Sequence, residues 1–145
     1  MSLFSSLDVS ASGMAAQRTR TELLVENLAN AETTRTPEGG PYRRKDVVFE
    51  EDPSVGTFGS ELSNALGSNV SGVAVSQTTV DDGDPLQRYM PGHPDADKNG
   101  YVAFPKINPA EDMVDLMGAS RGYQANVAAI SAVKDMLQKS LDLFR

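Results

Sequence analysis

The strongest structural signal in the chain is the segment NPAEDMVDLMGASRGYQANVAAISAVKDMLQKSLDLFR at residues 108–145. Asn108 is a typical N-cap residue, Pro109 suits the first helical position, and Glu111 stands at the capping-box position. Positions then recur at alternating spacings of three and four, and all but Ser120 and Lys134 are apolar: Met113, Leu116, Ser120, Tyr123, Val127, Ile130, Lys134, Leu137, Leu141 and Phe144. This pattern predicts a helix of about 50 Å. A small module cannot cover such a helix, so part of the stripe must meet another segment or other molecules.

A second helix is predicted near the other end of the chain, at residues 3–31. Its stripe has the same spacing but is less apolar: Leu7, Ala11, Met14, Arg18, Thr21, Val25 and Leu28. Four serines and Gly13 lower its helix propensity. We therefore expect the terminal segments to be partly disordered in the free chain and to become ordered on assembly.

The segment between the two helices is rich in Pro and Gly, which predicts a small, irregular β-rich module at residues 32–107. Short strands are indicated at 46–49, 73–80, 86–90 and 101–104. A stretch rich in Ser, Gly and Asn near residues 54–69 predicts a mobile loop.

A chain that enters by one helix and leaves by another predicts an antiparallel pair. The expected fold is mainly α with a small β module, in which the long N- and C-terminal helices pair in a coiled-coil-like manner. In this organisation residues 1–31 and 108–145 form the assembly region, and residues 32–107 form the outer module.

The composition excludes several classes of function. The chain has 145 residues, a net charge of −7, one His and no Cys. Without Cys there are no disulfides, thiolate metal sites or Cys nucleophiles, and the acidic charge argues against a nucleic-acid partner. No apolar run approaches about 18 residues, and the first residues lack the pattern of a secretion signal. We expect no membrane insertion, no cofactor, no metal and no enzymatic activity.

One segment resembles half of a calcium site. Asp95-Ala96-Asp97-Lys98-Asn99-Gly100 matches the start of a calcium loop, but the twelfth position is Lys106, where a bidentate Glu is required. A turn ahead of a strand is the favoured interpretation. The alternative function is a calcium- or ligand-responsive binding module with a helical dimerisation stem.

Three other polar features are interpreted structurally. His93, between Gly92 and Pro94, is expected to be a turn residue, and the acidic cluster at residues 81–84 is expected to be a turn rather than a metal site. The basic run at residues 43–45 favours a solvated face or an intermolecular ion pair over a phosphate site.

Small residues form a strip beside the apolar stripe of the second helix: Gly118, Gly122, Ala125 and Ala129. Each helical glycine costs about 1 kcal/mol relative to Ala, and close approach of another backbone would explain its presence. The predicted assembly interface comprises Leu7, Met14, Val25, Leu28, Met113, Leu116, Tyr123, Val127, Ile130, Leu137, Leu141 and Phe144. Ordinary core packing of these side chains within one molecule is the alternative.

Two motifs near the chain ends resemble a known family. Glu26-Asn27-Leu28-Ala29-Asn30-Ala31-Glu32-Thr33-Thr34 and Arg121-Gly122-Tyr123-Gln124-Ala125-Asn126 are similar to the terminal motifs of the bacterial flagellar rod and hook family. Tyr89-Met90-Pro91-Gly92-His93-Pro94-Asp95-Ala96-Asp97, with Gly100-Tyr101-Val102, resembles one member of that family more narrowly. The motif residues are Asn27, Asn30, Tyr123, Gln124 and Asn126. The amide side chains among them either hydrogen-bond across packed helices or serve as local caps and solvated positions.

The resemblance implies a structural subunit of the proximal rod, the drive-shaft segment that crosses the periplasm, required for flagellum assembly and motility. It also implies export by the flagellar type III apparatus without a cleaved signal peptide. The implied partners are rod proteins of the FlgB, FlgF and FlgG types, the rod/MS-ring adaptor of the FliE type, and copies of the chain itself.

Overall fold

The computed structural model describes residues 3–52 and 71–142. It confirms a mainly helical fold with a small β module between two long helices. The predicted loop near residues 54–69 and Phe144 lie outside the described residues. The elements are α1 (Leu3–Ala29), β1 (Lys45–Asp52), β2 (Gly72–Val80), β3 (Leu86–Tyr89), β4 (Tyr101–Phe104) and α2 (Pro109–Asp142).

Helix α2 begins where its capping residues predict. The Asn108 side-chain oxygen accepts a hydrogen bond from the Ala110 backbone N–H at 3.2 Å. The Asn108 carbonyl accepts the Asp112 N–H at 3.0 Å, which closes the first helical turn. The cap therefore fixes the position at which the chain leaves the β module.

The four strands form two separate two-stranded antiparallel sheets. In the first, Lys45 of β1 lies opposite Val80 of β2, and the register shifts between Val48 and Phe49. In the second, Tyr89 of β3 lies opposite Tyr101 of β4. The Tyr89 and Tyr101 rings meet edge to face with centroids 5.4 Å apart, an arrangement that aromatic pairs prefer.

The two long helices pack antiparallel, as predicted. Gln17 of α1 contacts Gly122 of α2, and Arg20 lies 3.9 Å from Asp115 in an ion pair. Residue numbers therefore rise along α1 while those of its neighbours on α2 fall.

The interior of the described chain is small. Its buried apolar side chains are Ala16, Leu24, Tyr42, Val102, Phe104, Ile107, Ala119 and Val133. Several large apolar side chains of α2 lie outside this core and are exposed.

Candidate assembly interface

At its centre, the face through which α1 and α2 meet is made of small and polar residues, and the apolar Val133 is buried further along α2. Ala16 on α1 and Ala119 on α2 are almost fully buried. A Cβ added at Gly122 would lie 3.3 Å from Gln17 Cδ, so the glycine lets the Gln17 side chain approach the α2 backbone closely. Most of the large apolar side chains of α2 take no part in this contact.

On both helices, each position of the predicted apolar stripe comes one residue after a position of this packed face. On α1, Leu24 is buried while Val25 is 49% exposed; on α2, Gly122 lies against Gln17 while Tyr123 is 42% exposed. One residue corresponds to a rotation of about 100° around a helix. The stripe of each helix is therefore turned away from the helix–helix contact.

The two stripes lie on the same side of the helix pair. Because the helices are antiparallel, a step of one residue rotates the α1 stripe and the α2 stripe toward the same side. We call this combined surface the two-helix face.

The β1–β2 sheet lies on the other side of α1. The Ser12 hydroxyl accepts a hydrogen bond from the Val73 N–H at 3.1 Å. Near the other end of the helix, the buried Asn27 side chain bonds to the backbone of Lys45. Ser12 directly precedes Gly13, which lies against Asn126 of α2, so the Ser12 side chain is rotated away from the stripe. The sheet therefore leaves the two-helix face uncovered.

The predicted interface residues divide into two groups by exposure. Val25, Met113, Tyr123, Val127 and Leu141 are exposed, and Leu7, Met14, Leu28, Leu116, Ile130 and Leu137 are half-buried. The sequence reasoning omitted the exposed apolar side chains of Val114, Met117 and Met136 because they fall off the heptad spacing.

Of the predicted small-residue strip, only Gly122 faces α1. A Cβ added at Gly118 would meet nothing within 4 Å, and Ala125 and Ala129 are exposed. This part of the strip is open to a neighbouring molecule.

The amide side chains of the family motifs have different roles. Asn27 is fully buried, and it bonds the start of β1 rather than the other helix. The Asn30 amide, one residue past the end of α1, donates to the Glu26 carbonyl at 2.9 Å, and the Asn126 amide donates to the Gly122 carbonyl within α2 at 3.1 Å. Gln124 is exposed.

A buried ion pair joins the β module to the start of α2. Arg44 Nη1 lies 2.9 Å from Asp112 Oδ1, and the Asp112 side chain is 1% exposed. Apart from this ion pair, neither Asp112 oxygen accepts a hydrogen bond from the described residues. Burial raises the pKa of Asp112 more than Arg44 lowers it, and Asp46, Asp115 and Glu111 raise it further. Nothing local in the sequence indicates this pairing, because Arg44 and Asp112 lie far apart along the chain.

The interpretation of the basic run as a solvated face or an intermolecular ion pair is wrong for Arg44, which is mostly buried between Asp46 and Asp112. Its two neighbours also pair within the chain: Arg43 with Asp82, and Lys45 with Glu26 at 2.5 Å. These contacts tie the β module to itself and to α1.

The calcium-like segment forms a turn whose carboxylates are already engaged. Asp97 Oδ1 accepts the backbone N–H groups of Asn99 and Tyr101 at 2.8 and 2.9 Å. Asp95 Oδ2 accepts the Thr34 hydroxyl at 2.8 Å, so the turn is bonded to the end of the first family motif. Across residues 3–52 and 71–142, no cluster of three or more potential ligand side chains is arranged to hold a metal ion. Nothing supports the alternative of a calcium-responsive module.

No helix in the described part of the chain is both long enough and apolar enough to cross a membrane.

Comparison with known proteins gives consistent matches over nearly the whole chain. A family model described as "Flagellar basal body rod FlgEFG protein C-terminal" matches residues 98–143. The flagellar basal-body rod protein FlgC of Bacillus subtilis is 43% identical, with 99% of each chain covered. FlgC of Borreliella burgdorferi is 40% identical, covering 100% of this chain and 99% of the relative. FlgC of Salmonella typhimurium is 38% identical, covering 99% and 98% respectively.

Proposed function

Because the chain belongs to the FlgC family of flagellar basal-body rod proteins and is a structural subunit of the basal-body rod, we propose that it polymerises through the two-helix face. The role is structural rather than catalytic. In this proposal residues 1–31 and 108–145 form the assembly region, and residues 32–107 form a module that faces outward. The rod segment concerned is the proximal one.

The observation that carries this proposal is the position of the two stripes. Val25 on α1 and Met113, Tyr123 and Val127 on α2 are exposed on the side of the helix pair that lies opposite the β1–β2 sheet. Among the described residues, strands β3 and β4 contact neither helix, so no further helix or strand covers this side in a single molecule. An exposed apolar surface of this kind is typical of a protein–protein contact.

Burial of the stripe would supply the free energy for assembly. A fully buried Leu, Ile, Val or Met side chain contributes about 1.5–3 kcal/mol. Ordering the backbone costs about 1–2 kcal/mol per residue, so many subunits must pack together to offset it. In a single molecule the exposed stripe residues stay unburied, so in this proposal the final ordering of the helices is coupled to assembly.

The geometry of the contact sets the form of the polymer. A face on one subunit that meets a different face on the next gives a head-to-tail contact, and repeated contacts of this type build a helical tube. The proposed neighbours are copies of this chain, rod proteins of the FlgB, FlgF and FlgG types, and the FliE-type adaptor. Gly118, Ala125 and Ala129, which are open on α2, would receive a neighbouring helix at close range.

Deletion and complementation of the gene test the proposed place of the subunit. Cells without the gene should fail to swim, their basal bodies should stop before the rod, and expression of this chain should restore both. Purified basal bodies from the restored cells should contain the chain. Complete rods in the deletion strain would contradict the proposal.

A further inference from the structure

Two reciprocal contacts cross the boundary between α1 and α2. The Gln17 side chain of α1 lies over Gly122 of α2, and the Asn126 side chain of α2 lies over Gly13 of α1. A Cβ added at Gly13 would lie 3.0 Å from Asn126 Nδ2. Each helix thus contributes one amide side chain and one glycine, and each amide occupies the space that the other helix leaves open.

The two amide side chains differ in how they are held. Asn126 Nδ2 donates to the Gly122 carbonyl at 3.1 Å, so the side chain is fixed along its own helix and fits opposite a residue without a Cβ. Gln17 Oε1 is buried and accepts no hydrogen bond from the described residues. Buried polar groups of this kind weaken a helix interface, and their best-attested use is to select one register.

At the level of Gln17 and Asn126, little else in the packed face fixes the axial position of the helices. Ala16 and Ala119 are small, so a shift of one helical turn, about 5.4 Å, would displace no large side chain at this level; the larger buried side chains, Leu24 and Val133, lie further along the two helices. After such a shift Gln17 would lie over Gly118, a glycine that now faces open space. Asn126, however, would move from Gly13 to the position of Val9, where a Cβ and a branched side chain oppose it.

We propose that Gln17 and Asn126 are positioning residues that fix the register of α1 against α2 through their contacts with Gly122 and Gly13. Gln17 lies opposite a glycine in either register and so permits both. Asn126 excludes the shifted register, because it would then lie opposite Val9. This inference rests on the proposed function, because the register decides which parts of the two stripes adjoin in the two-helix face.

Distance measurement between two spin labels tests the register directly in the full chain. The protein has no Cys, so Ala15→Cys with Ala132→Cys introduces one label on each helix at an exposed position outside the stripes. We expect one narrow distance. Addition of Asn126→Ala should produce a second population, longer by several Å, because the shifted register moves these positions apart by about 5 Å along the axis. Addition of Gln124→Ala, an exposed neighbour, should leave the distance unchanged. A broad distribution in the parent chain, or a single unchanged distance with Asn126→Ala, overturns the proposal.

Exchange of the amide and the glycine provides a second test in swimming cells. Gly122→Gln alone should abolish swimming, because two glutamine side chains would compete for the same space. Adding Gln17→Gly restores one amide opposite one glycine and should recover most of the swimming. A double variant that swims no better than Gly122→Gln contradicts the inference. The spin-label distances do not depend on rod assembly, so failure of the register inference and failure of the proposed polymerisation face are distinguishable.

Discussion

The Asn27 side chain pairs with the backbone of Lys45 as a neighbouring strand would. Its amide donates to the Lys45 carbonyl at 2.8 Å, and its oxygen accepts the Lys45 N–H at 2.9 Å. The same oxygen accepts the Tyr42 hydroxyl at 3.0 Å. One fully buried side chain thus joins the end of α1 to the start of β1 and fixes where the β module sits against the helix pair.

Replacement of Asn27 by Ala should strongly destabilise the protein. The substitution leaves both backbone groups of Lys45 without their partner, and each unsatisfied buried group costs about 1–3 kcal/mol. We expect a loss of about 2–4 kcal/mol in the free energy of unfolding, measured by urea denaturation followed by circular dichroism. Gln138→Ala, at an exposed position of α2, is the control and should change stability by less than about 0.5 kcal/mol. Equal effects of the two substitutions would show that the Asn27 contact contributes nothing.

Tyr42→Phe should reduce the free energy of unfolding at neutral pH, and this loss should become smaller at alkaline pH. Burial, followed by the charge and hydrogen bonding of Glu26, raises the pKa of Tyr42 from 10.0 to about 12. A raised folded-state pKa means that the contribution to stability is complete below pH 10.0 and is lost as pH rises through about 12. At neutral pH the variant should lose about 1 kcal/mol with the hydrogen bond to Asn27. The difference between the two proteins should shrink above pH 10.0, and a constant difference would refute the assignment.

Asp112→Asn should remove a pH dependence of the free energy of unfolding between acidic and neutral pH. Because the pKa of Asp112 is raised from 3.8, its favourable contribution is complete below pH 3.8 and declines as pH rises through the folded-state value. The free energy of unfolding of the variant, relative to the parent, should therefore increase from pH 3.8 toward neutrality. Urea denaturation at a series of pH values measures this difference. A relative stability that falls over the same range would mean that Arg44 outweighs burial.

Tyr123→Asp or Leu137→Asp should block incorporation into rods while the β module stays folded. Either substitution places a charge in the stripe, which the proposed contact would have to bury without a partner. We expect non-swimming cells and basal bodies that lack the variant chain by immunoblotting. Ala132→Asp, which adds the same charge at an exposed position outside the stripe, is the control and should swim. Normal swimming with Tyr123→Asp and Leu137→Asp would rule out the stripe as the assembly surface.

Gly100→Ala should destabilise the turn between β3 and β4. Gly100 has a φ of +81°, and an added Cβ would lie 2.9 Å from the Tyr89 ring. A left-handed conformation costs a non-glycine residue about 1–2 kcal/mol, and the contact with Tyr89 adds to this. The loss should appear in thermal unfolding. Gly92→Ala, in the same turn region but with open space around it, should leave the melting temperature nearly unchanged. A similar loss in both variants would indicate a general effect of glycine replacement.

The sequence alone determined which segments become helices and strands, but not all of their ends: β1 runs over Lys45–Asp52 where 46–49 was predicted. The Asn108 cap, the spacing of apolar residues and the position of prolines and glycines act within a few residues, so they can be read without knowledge of the rest of the chain. The antiparallel pairing also followed from the order of the elements.

Only the tertiary structure decided which face of each helix packs inside the molecule. On both helices the packed face and the apolar stripe share the same three-and-four spacing and differ by one residue, so periodicity cannot choose between them. The choice depends on how closely two backbones approach, as they do at Gly122 and Gly13. The pairing of Arg44 with Asp112 and of Asn27 with Lys45 was likewise set by distant contacts, because burial and partner geometry exist only once the chain has folded.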